Sequence, residues 1–342
     1  MKKFFFLALL VIGFGCKSTT QNPSSENTSI QTSPTDYEHY INAESLKTHL
    51  YIIASDEMEG RMTGERGQKM AANYIKNFYL KHNIASPLGE GNYFQPVPKS
   101  YFKEGSGLND SENVIGFVEG SEKPEEVIII TAHYDHVGIK SGKIYNGADD
   151  DGSGTVAIML LAQAFQKAKE DGNGPKRSVA FLHVTAEEIG LLGSRYYTDE
   201  DPIFPLANTV ANLNIDMIGR IDPNKADNPN YIYLIGSDKL SQELHDVSEA
   251  MNDAYVNLDI DYTFNADNDP NRFYYRSDHY NFAKNNIPVI FYFNGVHEDY
   301  HKHTDTPDKI EYELLEKRSR LIFHTAWELA NRKERVALDI NE

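Results

Sequence analysis

EEVIIITAHYDH, residues 125–136, passes from two acids through Val127-Ile128-Ile129-Ile130 to a polar cluster, His133-Tyr134-Asp135-His136. A run so short and so continuously apolar is a strand covered on both faces, since a strand with one wet face alternates polar with apolar. The pattern recurs in NVIGFVEG (113–120), RSVAFLHVTAEE (177–188), TVANLNIDMIG (209–219), YIYLIG (231–236) and IPVIFYFNG (287–295). Stretches of helical period lie between several of these: GTVAIMLLAQAFQKAK (154–169), GLLGSRYYT (190–198), KLSQELHDVSEAMNDA (239–254) and, after the last strand, YELLEKRSRLIFHTAWELANRK (312–333). Two more, AESLKTHLYIIAS (43–55) and GQKMAANYIKNFYLKH (67–82), precede the first strand. Strands alternating with helices predict an α/β fold, a three-layer sandwich with a mixed, largely parallel central sheet. Residues 89–110, rich in Gly, Pro and aromatics, read as an irregular loop or a short extended excursion.

Ligands of such sheets bind beyond the carboxyl ends of the strands, and that is where this sequence turns polar. His133 to His136 follow the first quoted strand, Glu187 and Glu188 follow another, Asp216 sits within NIDMIG, and a histidine-rich loop follows IPVIFYFNG. NGADDDGSG (146–154) adds Asp149, Asp150 and Asp151 just ahead of a helix. Carboxylate and imidazole together suit zinc and similar divalent cations. Two cations bridged by a carboxylate need about five protein ligands, which this inventory supplies. In the Glu187-Glu188 pair one carboxylate can ligate while its neighbour takes a proton from water. Each cluster has an ordinary explanation: loop histidines, an N-cap of acids, a solvated Glu-Glu pair. Their recurrence at buried strand ends favours ligands, and Asp216, between Ile215 and Met217, is a poor place for an unpaired charge.

ASDEMEGRMTGERG, TAHYDHVG, NGADDDGSG, TAEEIGLLGS, NIDMIGR, RSDHYNF and YHKHTDTPD occur in that order between about Ala54 and Leu315. In this the chain resembles the dizinc exopeptidase family of the bacterial secreted leucyl aminopeptidases, with glutamate carboxypeptidase II and the glutaminyl cyclases as further relatives. The resemblance implies the zinc-exopeptidase, phosphorylase/hydrolase-like form of the sandwich and two Zn2+ ions. Carried over by position, His133 and Asp216 would hold one metal, Glu188 and His301 the other, and Asp150, the central acid of the triplet, would bridge them. Asp135 would hydrogen-bond the far nitrogen of His133, Asp151 would support the bridge as an acceptor, and Asp305 follows His301 at the family's four-residue interval. Glu187 would be the general base, acting on a hydroxide or water between the zincs, and then the acid that protonates the leaving amine. Tyr300 would stabilise the oxyanion. The implied reaction is aminopeptidase hydrolysis of peptides. The alternatives are a carboxypeptidase or dipeptidase, with Arg272 or Arg276 gripping the terminal carboxylate, and a glutaminyl cyclase, whose family members work with one zinc.

Within the last loop His303 competes with His301 as ligand. Asp278 and His279 match the family but carry no direct role, and helix capping by Ser277 or Asp278 accounts for them equally well. His297-Glu298-Asp299-Tyr300-His301 also matches H-E-x-x-H, which works only on a helix that puts both histidines on one face. Following PVIFYFNG and running into KHTDTPD, it reads as loop, and the match as coincidence.

At 342 residues with 40% apolar content the chain can build a substantial core, and its formal charge of −18 argues against nucleic acid as a partner. Lys2 and Lys3 precede an apolar run, Phe4 to Phe14, too short to span a bilayer and suited to a signal peptide. Cys16, the only cysteine, follows Gly15 where bacterial lipoproteins are lipidated. The expectation is a signal segment over 1–16, a disordered tether over 17–36 poor in apolar residues, and one catalytic domain over 37–335. The protein would be exported and lipid-anchored to the bacterial cell envelope, with peptide substrates and no membrane contact beyond the anchor. The competing account takes Cys16 as an incidental residue of a cleaved signal.

Overall fold

In the computed structural model, Ile128, Ile130 and Ala132 join one buried cluster while their neighbours Val127 and Ile129 join another, so this strand is covered on both faces. Residues 1–4 and 33–339 are described. The expected signal segment beyond residue 4, Cys16 and the tether up to residue 32 lie outside them. Ser33–Asp36, expected as the end of the tether, form a capped turn with Pro34 buried. Among the described residues no helix is long and apolar enough to cross a membrane.

From Ser33 onward the chain forms α1 (Ala43–Ile53), α2 (Arg66–Lys81), β1 (Phe94–Val97), β2 (Ser111–Val118) and β3 (Lys123–His133). A short hairpin follows, β4 (Ile139–Lys140) and β5 (Lys143–Ile144), then α3 (Gly154–Glu170), β6 (Arg177–Val184), α4 (Leu192–Asp199) and β7 (Thr209–Ile215). The last elements are β8 (Tyr231–Ile235), α5 (Gln242–Met251), β9 (Asp259–Asp261), α6 (His279–Ala283), β10 (Val289–Phe293) and α7 (Tyr312–Asn331). Eight strands make one sheet in the order β1-β2-β6-β3-β7-β10-β8-β9. β6, β3, β7 and β10 are mutually parallel neighbours, flanked by antiparallel pairings of β2 with β6 and β8 with β10. The mixed sheet expected from the strand pattern is what forms. Residues of α1, α2, α3, α5 and α7 cover one face and those of α4 and α6 the other, giving three layers. Each fully buried aliphatic side chain in these layers contributes about 1.5–3 kcal/mol.

Two fully buried arginines tie the connecting loops to this frame. Arg61 donates to the carbonyls of Ile53, Tyr134, Asn146 and Gly147 at 2.6–2.8 Å. Arg318 of α7 donates to the carbonyls of Ile218, Arg220 and Tyr231. A buried cation spending its donors on backbone carbonyls fixes loops that have no ladder of their own. Here those loops are the ones that follow β3, precede α3 and follow β7.

Candidate active site

The four parallel strands end side by side, so residues far apart in sequence meet beyond their carboxyl ends. His133 is the last residue of β3, Glu187 and Glu188 lie three and four past β6, Asp216 is the first past β7, and His301 is on the loop after β10. Three residues at these turns hold positive φ: Ala186 (58°), Met217 (67°) and His301 (54°). Such backbone costs non-glycine residues about 1–3 kcal/mol and collects at functional sites.

The acidic triplet sends its carboxylates three ways because the backbone leaves helical geometry at Asp150 and Asp151. Asp149 accepts the Gly219 N–H at 2.7 Å and lies 3.1 Å from His297 Nε2. Asp151 accepts the N–H groups of Gly154 (2.9 Å) and Met217 (3.1 Å), combining the cap and support roles open to it. Asp150 is different: Oδ1 lies 3.1 Å from His133 Nε2, and Oδ2 lies 3.1 Å from His301 Nε2. His133 Nε2 is also 3.6 Å from Asp216 Oδ1, and His301 Nε2 is 3.2 Å from Glu188 Oε2. Thus His133 and Asp216 stand on one side of Asp150, and Glu188 with two imidazoles, His301 and His136, on the other. Two sets come close enough to surround an ion: His133, Asp151 and Asp216, and His136, Asp150 and Glu188. Both oxygens of Asp150 face imidazoles, whereas Asp151 Oδ1 is committed to backbone donors and only its buried Oδ2 is unpartnered.

His133 Nε2 and Asp150 Oδ2 are buried without a hydrogen-bond partner. Unpaired polar atoms of this kind in a dry interior call for an additional group between them, and a cation among carboxylates and imidazoles fits. Electrostatics point the same way. Burial disfavours a charged His301, yet the negative carboxylates of Asp150 and Glu188 facing its Nε2 push it up to about 10. Burial likewise opposes a charged His133, and Glu187, Asp150 and Asp216 override it. The site is an excess of carboxylates drawing in positive charge.

Glu187 stands 3.9 Å from His133 Nε2, and burial raises its carboxyl well above the usual range against the pull of His133. Its N–H donates to Asp135 Oδ1 at 3.2 Å, and Asp135 also accepts from Thr63 Oγ1 at 2.9 Å. This corrects the expected role of Asp135. Its carboxylate is 3.8 Å from His133 Nδ1, whereas its own backbone carbonyl is 3.0 Å away and fixes that ring. The carboxylate is turned aside by two better-placed donors. Asp305 accepts the N–H groups of Asp149 (2.9 Å) and Asp150 (3.2 Å), anchoring the triplet, and burial pushes it up to about 6.

His301 faces the site, while His303 is 2.9 Å from Lys143 Nζ on the β4–β5 hairpin. The segment from His297 to His301 is a turn, not a helix, and Glu298 is exposed beside Arg220, so the H-E-x-x-H match is coincidental. Asp278 occupies the N-cap position of α6 without capping it, and its Oδ1 accepts from Ser194 Oγ instead. Sequence reasoning gave His136 no role, yet it is buried with Nδ1 2.5 Å from Glu188 Oε1. Only its place three residues past His133 signalled it. A cleft of about 440 Å³ opens on the cluster, lined also by Gly190, Leu191, Tyr275, Arg276 and Tyr300. A small pocket of about 30 Å³ adjoins it, walled by Met217, Phe273, Phe291, Phe293 and Val296 together with the polar Asp216, Arg276 and Tyr300.

A three-layer sandwich with carboxylates and imidazoles gathered at the ends of its parallel strands is the architecture of the zinc exopeptidases. The chain belongs to peptidase family M28, whose profile matches residues 113–326. It is 36% identical over 105 residues to a probable glutamate carboxypeptidase of Arabidopsis thaliana, covering 31% of this chain and 14% of that one. It is 34% identical over 110 residues to the aminopeptidase YwaD of Bacillus subtilis, covering 32% and 22%. The matched stretches thus span less than a quarter of either relative's length. Among solved structures, the zinc aminopeptidase BSAP of Bacillus subtilis superposes with a TM-score of 0.64 at 16% identity over 85% of this chain and 96% of that one. The glutaminyl cyclase of Porphyromonas gingivalis gives 0.67 at 18% over 83% and 97%. These two share the fold.

Proposed function

We propose that the protein is an exported zinc-dependent aminopeptidase, lipid-anchored through Cys16, that removes N-terminal residues from peptides. The observation that carries this is Asp150, whose two oxygens each face a different imidazole at 3.1 Å with Glu187 alongside. His133, Asp150 and Asp216 would hold one zinc, and Asp150, Glu188 and His301 a second. Zinc bound there would lower the pKa of water and polarise a carbonyl. Glu187 has a carboxylate free of ligand duty, and a raised pKa suits it to take a proton from the attacking water and return it to the leaving nitrogen. Tyr300, on the cleft wall and stacked on His301 at 4.0 Å, donates its hydroxyl to the carbonyl oxygen as charge builds there. Asp135 and Asp305 hold the loops that carry these groups. A protonated α-amine is drawn to a cleft lined by Asp150, Glu187, Glu188 and Asp216.

One observation favours a carboxypeptidase or dipeptidase: Arg276 lines the cleft, its guanidinium over the Phe273 ring and 3.5 Å from the Tyr300 hydroxyl. Aminoacyl-anilides and N-blocked dipeptides separate the two. Anilide cleavage that is lost with chelator and restored by zinc supports the aminopeptidase; cleavage of the blocked dipeptide alone refutes it.

A further inference from the structure

We propose that the hollow beyond Tyr275 receives the part of a peptide downstream of the cut bond, and that Arg272 pairs there with a carboxylate of that part; this rests on the aminopeptidase reading above. Two hollows share Tyr275, which is 46% exposed. The cleft of about 440 Å³ beside the proposed ligands is lined by Tyr275 and Arg276. A second hollow, of about 300 Å³, is lined by the same Tyr275 with Lys239, Phe264, Arg272 and Tyr274. A wider depression of about 610 Å³ shares Lys239 and Asp267 with the second. The concave surface thus continues past the cluster. An aminopeptidase holds a single residue on the amine side of the cut bond, so a hollow further along has only the leaving peptide to fill it.

The chemistry of the second hollow suits a carboxylate. Its charged lining is two cations, Lys239 and Arg272, and two acids, Asp267 and Asp269. Lys239 Nζ is 2.6 Å from Asp267 Oδ1, so those two serve each other. Asp269 is turned into its own loop: Oδ1 accepts from the Asn271 N–H and Nδ2, and Oδ2 from the Phe273 N–H, all at 3.0 Å. Arg272 lays its guanidinium over the Tyr275 ring, 4.9 Å from the centre. Stacking uses the flat face of a guanidinium and leaves the in-plane N–H donors for a carboxylate fork. The turn that presents it is pinned. The Arg272 N–H donates to the Asp269 carbonyl at 3.1 Å, and the Arg272 carbonyl accepts the Tyr275 N–H at 3.0 Å. Arg276 lines the cleft and Arg272 the hollow after it, so a carboxylate on Arg272 belongs to a longer peptide than one on Arg276.

The test measures kcat/KM of wild type, Arg272→Met and Arg272→Lys on leucyl-oligoglycines of two to six residues, each as the free acid and as the C-terminal amide. A third set carries the amide with one glycine replaced by glutamate. In wild type, the free acids or the glutamate-bearing amides should be cleaved about 5–10-fold better than the plain amides, through KM. Which of the two gains the factor tells whether Arg272 takes a chain end or a side chain. Arg272→Met should bring that ratio to about one, and Arg272→Lys should keep part of it. Each ratio is taken within one enzyme, so a general loss of activity does not imitate the effect. Equal cleavage of all three sets by a wild type that cleaves leucyl-anilide, or a ratio untouched in Arg272→Met, overturns the proposal. A wild type that cleaves neither the anilide nor any of these peptides removes the aminopeptidase reading, and the proposal with it.

Discussion

Glu187→Gln removes the proposed base while keeping the shape of the side chain. The Glu187 carboxylate accepts no hydrogen bond among the described residues, and its nearest cationic partner, His133 Nε2, is 3.9 Å away. The substitution therefore breaks no paired contact and relieves the burial of a charge, so stability should stay within about 1 kcal/mol of wild type. Because Glu187 is outside both proposed donor sets, zinc content should also hold. Catalysis should not. A positioned general base contributes about 10²–10⁴-fold, which at about 1.4 kcal/mol per tenfold is roughly 3–6 kcal/mol of barrier. The assay is steady-state cleavage of a leucyl-anilide beside metal analysis, with KM expected to change little. A kcat within tenfold of wild type in a zinc-replete, folded variant would refute the role. Glu298→Gln is the control: that side chain is 70% exposed and among the described residues pairs only with Arg220, so activity should be kept, opposite to what an H-E-x-x-H protease requires.

His301→Ala should cost the protein one zinc, while His303→Ala, which removes contacts to Lys143 and Tyr145, should leave both in place by metal analysis; equal losses would contradict the assignment. Arg61→Met strands four buried carbonyls and should lower unfolding free energy in urea by about 3–5 kcal/mol; a loss under about 1 kcal/mol would show that the loops hold themselves. Burial pushes His279 down to about 3, with its ring stacked on Phe291 at 4.8 Å. The unfolded chain therefore takes up a proton below about pH 6.5 that the folded one refuses, and stability falls with acidification over that window. His279→Phe should flatten the slope, worth about 2 kcal/mol between pH 6.5 and 5, and an unchanged slope would exclude His279 as its source.

The fold was legible where composition and period agreed. Val127 to Ile130 allow no wet face, and the structure covers both faces of β3. The elements that escaped are those whose residues say little: the hairpin of β4 and β5, the three residues of β9, and β1, whose Phe94–Val97 pairs with β2 from inside the segment read as an irregular loop or short extension. β1 and β9 are set by edge pairing with β2 and β8, and β4 and β5 by pairing with each other across a two-residue turn, in pieces too short to show an apolar period. The proposed ligands were legible because strand ends collect them. Which oxygen faces which nitrogen was not: the carboxylate of Asp135 turns to Thr63 and the Glu187 N–H, and His136 reaches Glu188, contacts across 72, 52 and 52 residues that only the folded sheet creates.

Two metals, one on either side of Asp150, are the centre of the proposed chemistry. Crystals of zinc-loaded protein measured on both sides of the zinc absorption edge should show two anomalous peaks, one between His133 and Asp216 and one between Glu188 and His301, each within about 2.2 Å of a different Asp150 oxygen. A single peak, or a peak at His303 or between His297 and Asp149, would contradict it.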